Sequence, residues 1–468
     1  MRRNYRYGRR RKSRTGLWIF LILLLTLGGA AGYLYLSPRF ERVPPQVEIQ
    51  KSFYWSPGKV VRVTLRDNHA LGSYQAVLSD GKKRVLVASG RFSEPLKEAE
   101  VDIVLPKRSG LDPRTKVWHL TVLARDRSLW NLGKGNRARA GARILVDTEP
   151  PKVSILSRSP SIVRGGSALV IFRATDPNLK EVYVQVGAKR FQVLPYREKG
   201  YWATLLAWPF RMEKFQPRIV ATDRSGNRKV LNIPFEKNYK EYKTSWIGLS
   251  DRFLDGKIAE IAQEDENASR VTGRLPRFRA VNEGMRTANE RLIHEKTARP
   301  TSVDFGRWKL KAFYPLKNAK RVASFGDERH YYYKERSREI SGSYHMGYDL
   351  ASVRHAPIRS SNPATVVFAG YNGIYGNMPI LDHGFGLYTL YGHCSQVLVS
   401  EGEHVAAGQV IAKTGKTGLA LGDHLHFGIL VQGVEVLPMD WMKQNWIESH
   451  INRVMERADR IIRRKHGG

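Results

Sequence analysis

Asp423-His424-Leu425-His426-Phe427-Gly428-Ile429-Leu430-Val431 is the stretch on which the reading of this chain turns. Leu425, Phe427, Ile429 and Val431 alternate with His424, His426 and Gly428, the period of two that puts successive side chains on opposite faces of a strand. His424 and His426 therefore share one face, across from an apolar one. Two imidazoles side by side are costly as core packing, yet natural if one binds a metal and the other works on a bound substrate. Taken alone, H-x-H is a modest signal, and its weight depends on the residues around it.

Upstream, His345 and Asp349 form an H-x-x-x-D pair whose spacing of four projects both side chains to one side of the chain. Such pairs arise by chance, and a His bonded to an Asp is an ordinary structural contact. Tyr391-Gly392-His393 follows the hairpin-like Leu381-Asp382-His383-Gly384-Phe385-Gly386, which presents His393 at a strand end where loops carry function. Zinc catalysis needs three protein ligands and an open position for water. His345, Asp349 and His426 supply that set, leaving His393 and His424 for acid-base or electrostatic work. His330, His355, His383 and His404 have no partner at ligand spacing and read as turn, surface or core residues, with His383 the nearest to the groove.

Several motifs in order now resemble the lysostaphin-type, or LytM-type, zinc peptidases of bacterial cell walls. They run from Ser324-Phe325-Gly326 through His345-Met346-Gly347-Tyr348-Asp349-Leu350 and the strands of Thr365 to Gly370. They continue with Gly402, Val405, Gly408-Gln409, Gly415 and Thr417-Gly418, and end at His424-Leu425-His426-Phe427-Gly428. The resemblance covers roughly a quarter of the chain, with Cys394 where the family often has Leu and Gly428 where Glu is common. It implies Zn2+ held by His345, Asp349 and His426, with His393 and His424 as the catalytic pair, their two roles unassigned. It further implies hydrolysis of peptide stems or bridges of peptidoglycan. Cys394, beside His393, is expected to be a site sensitive to oxidation.

The ends of the chain suggest where this chemistry is done. Arg2, Arg3, Arg6, Arg9, Arg10, Arg11, Lys12 and Arg14 precede an uncharged run from Leu17 to Leu36, which as a helix spans roughly 30 Å of hydrocarbon. The basic cluster, segment 1–16, should stay cytoplasmic, and all that follows the 17–36 anchor should lie beyond the membrane, in the periplasm of a bacterial inner membrane. A cleaved signal peptide is the rival; against it, Tyr33, Leu34, Tyr35 and Leu36 are too bulky for a cleavage exit. The chain has 78 Lys and Arg against 43 Asp and Glu, a formal charge of +35, which favours anionic surfaces. Export removes nucleic acid from the candidate partners and leaves peptidoglycan and the membrane, with any protein regulator unidentified. The single cysteine excludes an internal disulfide.

Between anchor and peptidase, the fold class reads as mainly β. Residues 45–148 carry short alternating strands such as Val60-Val61-Arg62-Val63-Thr64-Leu65, and 149–235 repeat their landmarks. Pro45-Gln46-Val47-Glu48-Ile49 returns as Pro151-Lys152-Val153-Ser154-Ile155, and Ala124-Arg125-Asp126-Arg127-Ser128 as Ala221-Thr222-Asp223-Arg224-Ser225. A period of about one hundred residues predicts two tandem immunoglobulin-like β-sandwiches serving as spacers. Residues 236–305 read as a helical connector that could also cover the groove. Residues 306–440 form the antiparallel-β zinc peptidase domain. The 441–468 tail places Ile447, Ile451, Val454, Met455, Ala458, Ile461 and Ile462 on one helical face, for docking on a membrane surface or packing on a neighbouring domain. Two rival functions stand beside catalysis: a silent or autoinhibited regulator of wall amidases, and a wall-adhesive scaffold.

Overall fold

A computed structural model of the chain describes residues 14–106, 110–112 and 114–466, and the basic cluster up to position 13 lies outside them. Strand accounts for 40% of residues and helix for 22%, so the fold is mainly β. Two compact units divide near Pro150: one runs to Glu149 and takes in Arg224–Asn227, and the other holds the rest.

The first unit opens with a 22-residue helix, Thr15–Leu36, none of whose residues is buried. It is long and apolar enough to cross a membrane. The β portion pairs a three-stranded sheet centred on Val60–Arg66 with a five-stranded sheet in which Val117–Asp126 is flanked by Leu71–Ser79 and Arg137–Leu145. Period-two alternation builds the core between them. Val61, Val63 and Leu65 face Trp118, Leu120, Val122 and Ile144, while the intervening residues meet solvent.

In the second unit, two four-stranded sheets formed by residues 152–232 share one continuous hydrophobic core with the C-terminal domain. Gln432, 1% exposed, bonds through its amide to Gln192 N (2.8 Å), Gln192 O (3.0 Å) and Thr204 Oγ1 (3.0 Å). The second β module thus packs directly on the domain that follows, and the buried amide has its partners fixed across that contact.

The C-terminal domain is built on an eight-stranded antiparallel sheet whose path runs Lys320–Ala323, Tyr348–Ala351, Leu425–Val431, Leu387–Gly392, Asn377–Asp382, Ala364–Tyr371, His404–Val405, with Val434–Val436 beside Leu425–Val431. Leu425–Val431 is buried along its whole length. Leu425, Phe427, Ile429 and Val431 enter the core shared with the second β module. Leu430 joins a separate cluster of Leu254, Ile258, Phe278, Val281, Met285 and Ile293. The segment expected to be a helical connector thus covers one face of the main sheet. It is helical only between Asp251 and Lys296; Glu236–Asn238 and Thr244–Gly248 are strands, the latter pairing in parallel with Asp327–Tyr332.

The tail forms a helical run from Gln444 to His466 whose apolar side is spent on protein, which answers the choice between membrane docking and packing. Ile447, Ile451, Val454, Ala458 and Ile462 join the shared core, and Asp459 accepts from Tyr196 Oη at 2.7 Å and pairs with Arg197 at 2.8 Å. This cover explains why Ser167–Thr175, beneath it, is buried on both faces. Ile451→Ala, in a site 1% exposed, is expected to lose about 2–5 kcal/mol, read as a fall in the unfolding midpoint of the second unit; an unchanged midpoint contradicts this packing.

Candidate functional site

The register of the main sheet brings the first two candidate residues together. Asp349 on Tyr348–Ala351 lies directly opposite His426 on Leu425–Val431. His345 ends the adjoining strand Glu339–His345, and the chain turns back through Met346-Gly347. Gly347 sits against the His426 ring, where a Cβ would collide with it, so the turn between the two motif residues depends on glycine.

His345 Nε2, Asp349 Oδ1 and His426 Nδ1 form a triangle with edges of 3.0, 2.9 and 3.1 Å. All three residues are buried. His345 Nδ1 lies 2.8 Å from the Ser324 carbonyl, which can only accept; the neutral ring therefore keeps its lone pair on Nε2, facing a carboxylate oxygen and a second imidazole. Such a cluster holds more acceptors than protons unless a cation lies among them. Burial raises Asp349, but the facing His345 and His426 outweigh it and hold the carboxyl well below its usual range. Burial pushes the His426 imidazole down, so it stays neutral as a metal ligand must. Tetrahedral zinc with bonds of about 2.0–2.1 Å has ligand edges near ~3.3 Å, so the donor set fits this ion after an opening of a few tenths of an ångström.

His393 and His424 stand beside the triangle, with ring centroids 4.8 Å apart; His393 lies 5.7 Å from His426. His424 Nε2 is 3.6 Å from Asp349 Oδ2. His393 adopts φ 63, a left-handed conformation unusual for a residue with a Cβ. It is held there by its N–H donating to Tyr375 O at 2.8 Å and by Nδ1 against Thr417 O at 2.9 Å. Burial, with His426 and His424 adding to it, pushes its imidazole down to about 3. A groove of about 260 Å3 opens over the five residues, walled also by Arg286, Arg329, Tyr344, Met346 and Leu421. The hollow next to it, about 600 Å3, shares Arg286, Arg329, Tyr344 and Met346.

Residues 343–438, the stretch that holds all five of these side chains, match the profile of Peptidase family M23. This chain carries an M23, or LytM-type, peptidase domain. Over 95 residues it is 38% identical to the DD-carboxypeptidase/endopeptidase Mpg of Neisseria meningitidis serogroup B, covering 20% of this chain and 22% of that protein. Over 121 residues it is 34% identical to the peptidoglycan DD-endopeptidase ShyA of Vibrio cholerae, covering 26% and 27%. The similarity thus spans about a quarter of each relative. A crystal structure described as a putative peptidase M23 from Pseudomonas aeruginosa aligns over 61% of this chain and 95% of its own, at 17% identity and a TM-score of 0.36.

The M23 domain leans on residues that motif reading passes over. Asn289, on helix Arg286–Lys296, accepts through Oδ1 from Ile374 N at 2.9 Å, and its carbonyl takes Asn372 Nδ2 at 3.2 Å. Those bonds brace the turn whose Tyr375 carbonyl holds His393. Arg286, one turn earlier on the same helix, lines the groove. Amphipathic periodicity places this helix on the sheet; nothing in the sequence ties it to the site.

His383 is a buried core residue, in keeping with the sequence reading, with Nδ1 3.1 Å from Pro363 O and Nε2 2.8 Å from Thr389 Oγ1; it lies outside the groove lining, and burial pushes it down to about 4. Cys394 is 0% exposed, and burial pushes its thiol up to about 12, so almost no thiolate is present to react. It is not the oxidation-sensitive spot its neighbour suggested. As the chain's single cysteine it gives a clean assay: native protein at pH 8 should resist N-ethylmaleimide and react promptly once denatured, whereas rapid native labelling would contradict the burial of this strand end.

Proposed function

We propose that this chain is a membrane-anchored zinc endopeptidase that hydrolyses peptide cross-links or stems of peptidoglycan on the periplasmic side of a bacterial inner membrane. The observation that carries the reading is the triangle of His345, Asp349 and His426 donor atoms, no edge longer than 3.1 Å, with two more imidazoles on the same wall of an open groove. Relatives named as peptidoglycan DD-endopeptidases support the substrate class. The apolar Thr15–Leu36 helix supports the anchor, and the charge of +35 suits an anionic wall.

In this reading His345, Asp349 and His426 are the metal ligands. Zinc held by them supplies Lewis acidity toward the scissile carbonyl and brings the pKa of a bound water to roughly 7. Proton transfer falls to His393 and His424. Each turns Nδ1 to a carbonyl, Thr417 at 2.9 Å and Gly422 at 2.8 Å, so each neutral ring keeps a lone pair on Nε2 to receive a proton. Once protonated, either ring can donate to the leaving amine or to the oxygen on which charge develops. Arg286 and Arg329, common to the groove and the wider hollow, offer guanidinium donors to the carboxylates of a peptide stem.

The test is muropeptide release from purified peptidoglycan by the full-length protein in detergent, with zinc content measured in parallel. Native protein should release peptides with new amine ends. His393→Ala and His424→Ala should keep their zinc and lose about 10²–10⁴ in rate, and Asp349→Ala should lose both zinc and activity. Release that survives His424→Ala refutes the assignment, and zinc bound without any release would leave a binding protein in place of an enzyme.

A further inference from the structure

Away from the groove, within the first unit, three carboxylates converge. Glu41, Asp67 and Asp126 each offer an oxygen, and these oxygens all lie within 4.8 Å of one another. Glu41 follows the short turn Pro38–Phe40 at the foot of the apolar helix, Asp67 follows the strand Val60–Arg66, and Asp126 ends the strand Val117–Asp126. Asp67 is 9% exposed and Asp126 4%. Among the described residues, no Lys or Arg forms an ion pair with any of the three.

Most of their oxygens are satisfied by neutral donors. Asp126 Oδ1 accepts from the backbone of Ser128 (3.0 Å) and Asn136 (2.8 Å), and Oδ2 from Asn136 Nδ2 (2.8 Å). Glu41 accepts from Val43 N at 2.7 Å and from Asn136 Nδ2 at 3.1 Å. Asp67 Oδ1 accepts from the backbone of His69 (2.9 Å) and Ala70 (2.6 Å), whereas its Oδ2, completely buried, has no partner. A buried, unpaired carboxylate oxygen beside two more carboxylates is costly, and among the described residues no hydrogen bond or ion pair to that oxygen offsets it.

The arrangement also has an echo in the sequence. Asp147 stands as far before Pro151 as Glu41 does before Pro45; Asp176 follows Ser167–Thr175 as Asp67 follows Val60–Arg66; Asp223 precedes Arg224-Ser225 as Asp126 precedes Arg127-Ser128. A repeat that keeps three acids at matching positions keeps them as a set.

We infer that Glu41, Asp67 and Asp126 form a binding site for a hard divalent cation, Ca2+ before Mg2+, that ties the chain leaving the membrane helix to the first β module. The donors are all oxygen, which suits these ions and not zinc. Ca2+, with bonds of about 2.3–2.6 Å and six to eight irregular oxygen ligands, suits donors drawn from three separate segments, whereas Mg2+ demands a near-ideal octahedron. Crowding of acids without a cation favours the protonated form at Glu41, which is raised by burial and by Asp126.

The site would lock a contact already present. The Glu41 carbonyl accepts from Ser128 Oγ at 2.7 Å and Asn136 Nδ2 at 3.0 Å, and the Arg39 carbonyl from Leu129 N at 2.7 Å. Residues 39–43 therefore lie along the 126–136 loop, and a cation bridging Glu41 to Asp67 and Asp126 fastens them at a third point.

The experiment uses zinc-loaded, full-length protein in detergent, in calcium-free buffer and then with millimolar Ca2+ or Mg2+. Ca2+ should slow amide hydrogen exchange in 39–43 and 126–136 by about tenfold when it is tenfold above its Kd. Asp67→Asn should abolish that slowing and reduce the Ca2+ bound per chain by one, with zinc content unchanged. Glu41→Gln, nearer the surface, provides the same comparison should Asp67→Asn lose the exchange protection of the Val117–Asp126 strand. Exchange in the native protein that is indifferent to both cations, or variants that bind as much Ca2+ as the native chain, would overturn the site.

Discussion

A carboxylate withdrawn from water between two imidazoles sets the terms for the M23 domain. Asp349 is 7% exposed, and its Oδ1 lies 3.0 Å from His345 Nε2 and 2.9 Å from His426 Nδ1. Burying such a charge costs several kcal/mol unless positive charge answers it. The surrounding structure meets that constraint by fixing each ring independently. Asp349 and His426 face each other by sheet register, Gly347 lets the turn pass against the His426 ring, and the Ser324 carbonyl holds His345 Nδ1. These supports leave three lone pairs directed at one point, which is the chemistry of a metal ligand set.

The same constraint explains why the main sheet is covered on both faces. Leu425–Val431 must be rigid to present His426, and it is buried between the core shared with the second β module and the cluster formed by the helices of residues 251–296. Second module, helical segment and C-terminal helix are therefore parts of one packed unit around the site. Helix Arg286–Lys296 goes further, since Asn289 braces the turn that fixes His393. A left-handed φ at His393 is strained backbone kept in place by neighbours, and the helix is one of them.

Much of the site was legible because strand periodicity is local. The alternation around His424 and His426 predicts a shared face, and the H-x-x-x-D pair needs only a tight turn to converge. The apolar Thr15–Leu36 helix and the amphipathic C-terminal helix were legible from patterns equally local, an unbroken apolar run and a helical repeat. What lay hidden depends on contacts distant in sequence. Gln432 fusing the second β module to the sheet, Asn289 reaching the His393 turn and Arg286 entering the groove each join residues far apart in the chain. Glu236–Asn238 and Thr244–Gly248 became strands where a helix was expected because each found a distant partner strand, Ser161–Val163 and Asp327–Tyr332, a tertiary effect that overrides local preference. Cys394 misled because adjacency in sequence to His393 says nothing about which side of the sheet a residue enters.

The most direct test of the central claim is zinc K-edge X-ray absorption on the purified full-length protein. The account predicts one zinc per chain, with two imidazole nitrogens and carboxylate oxygen at about 2.0–2.1 Å, no sulfur, and loss of the bound zinc in His426→Ala. A site with sulfur in its shell, or one unchanged by His426→Ala, would contradict it.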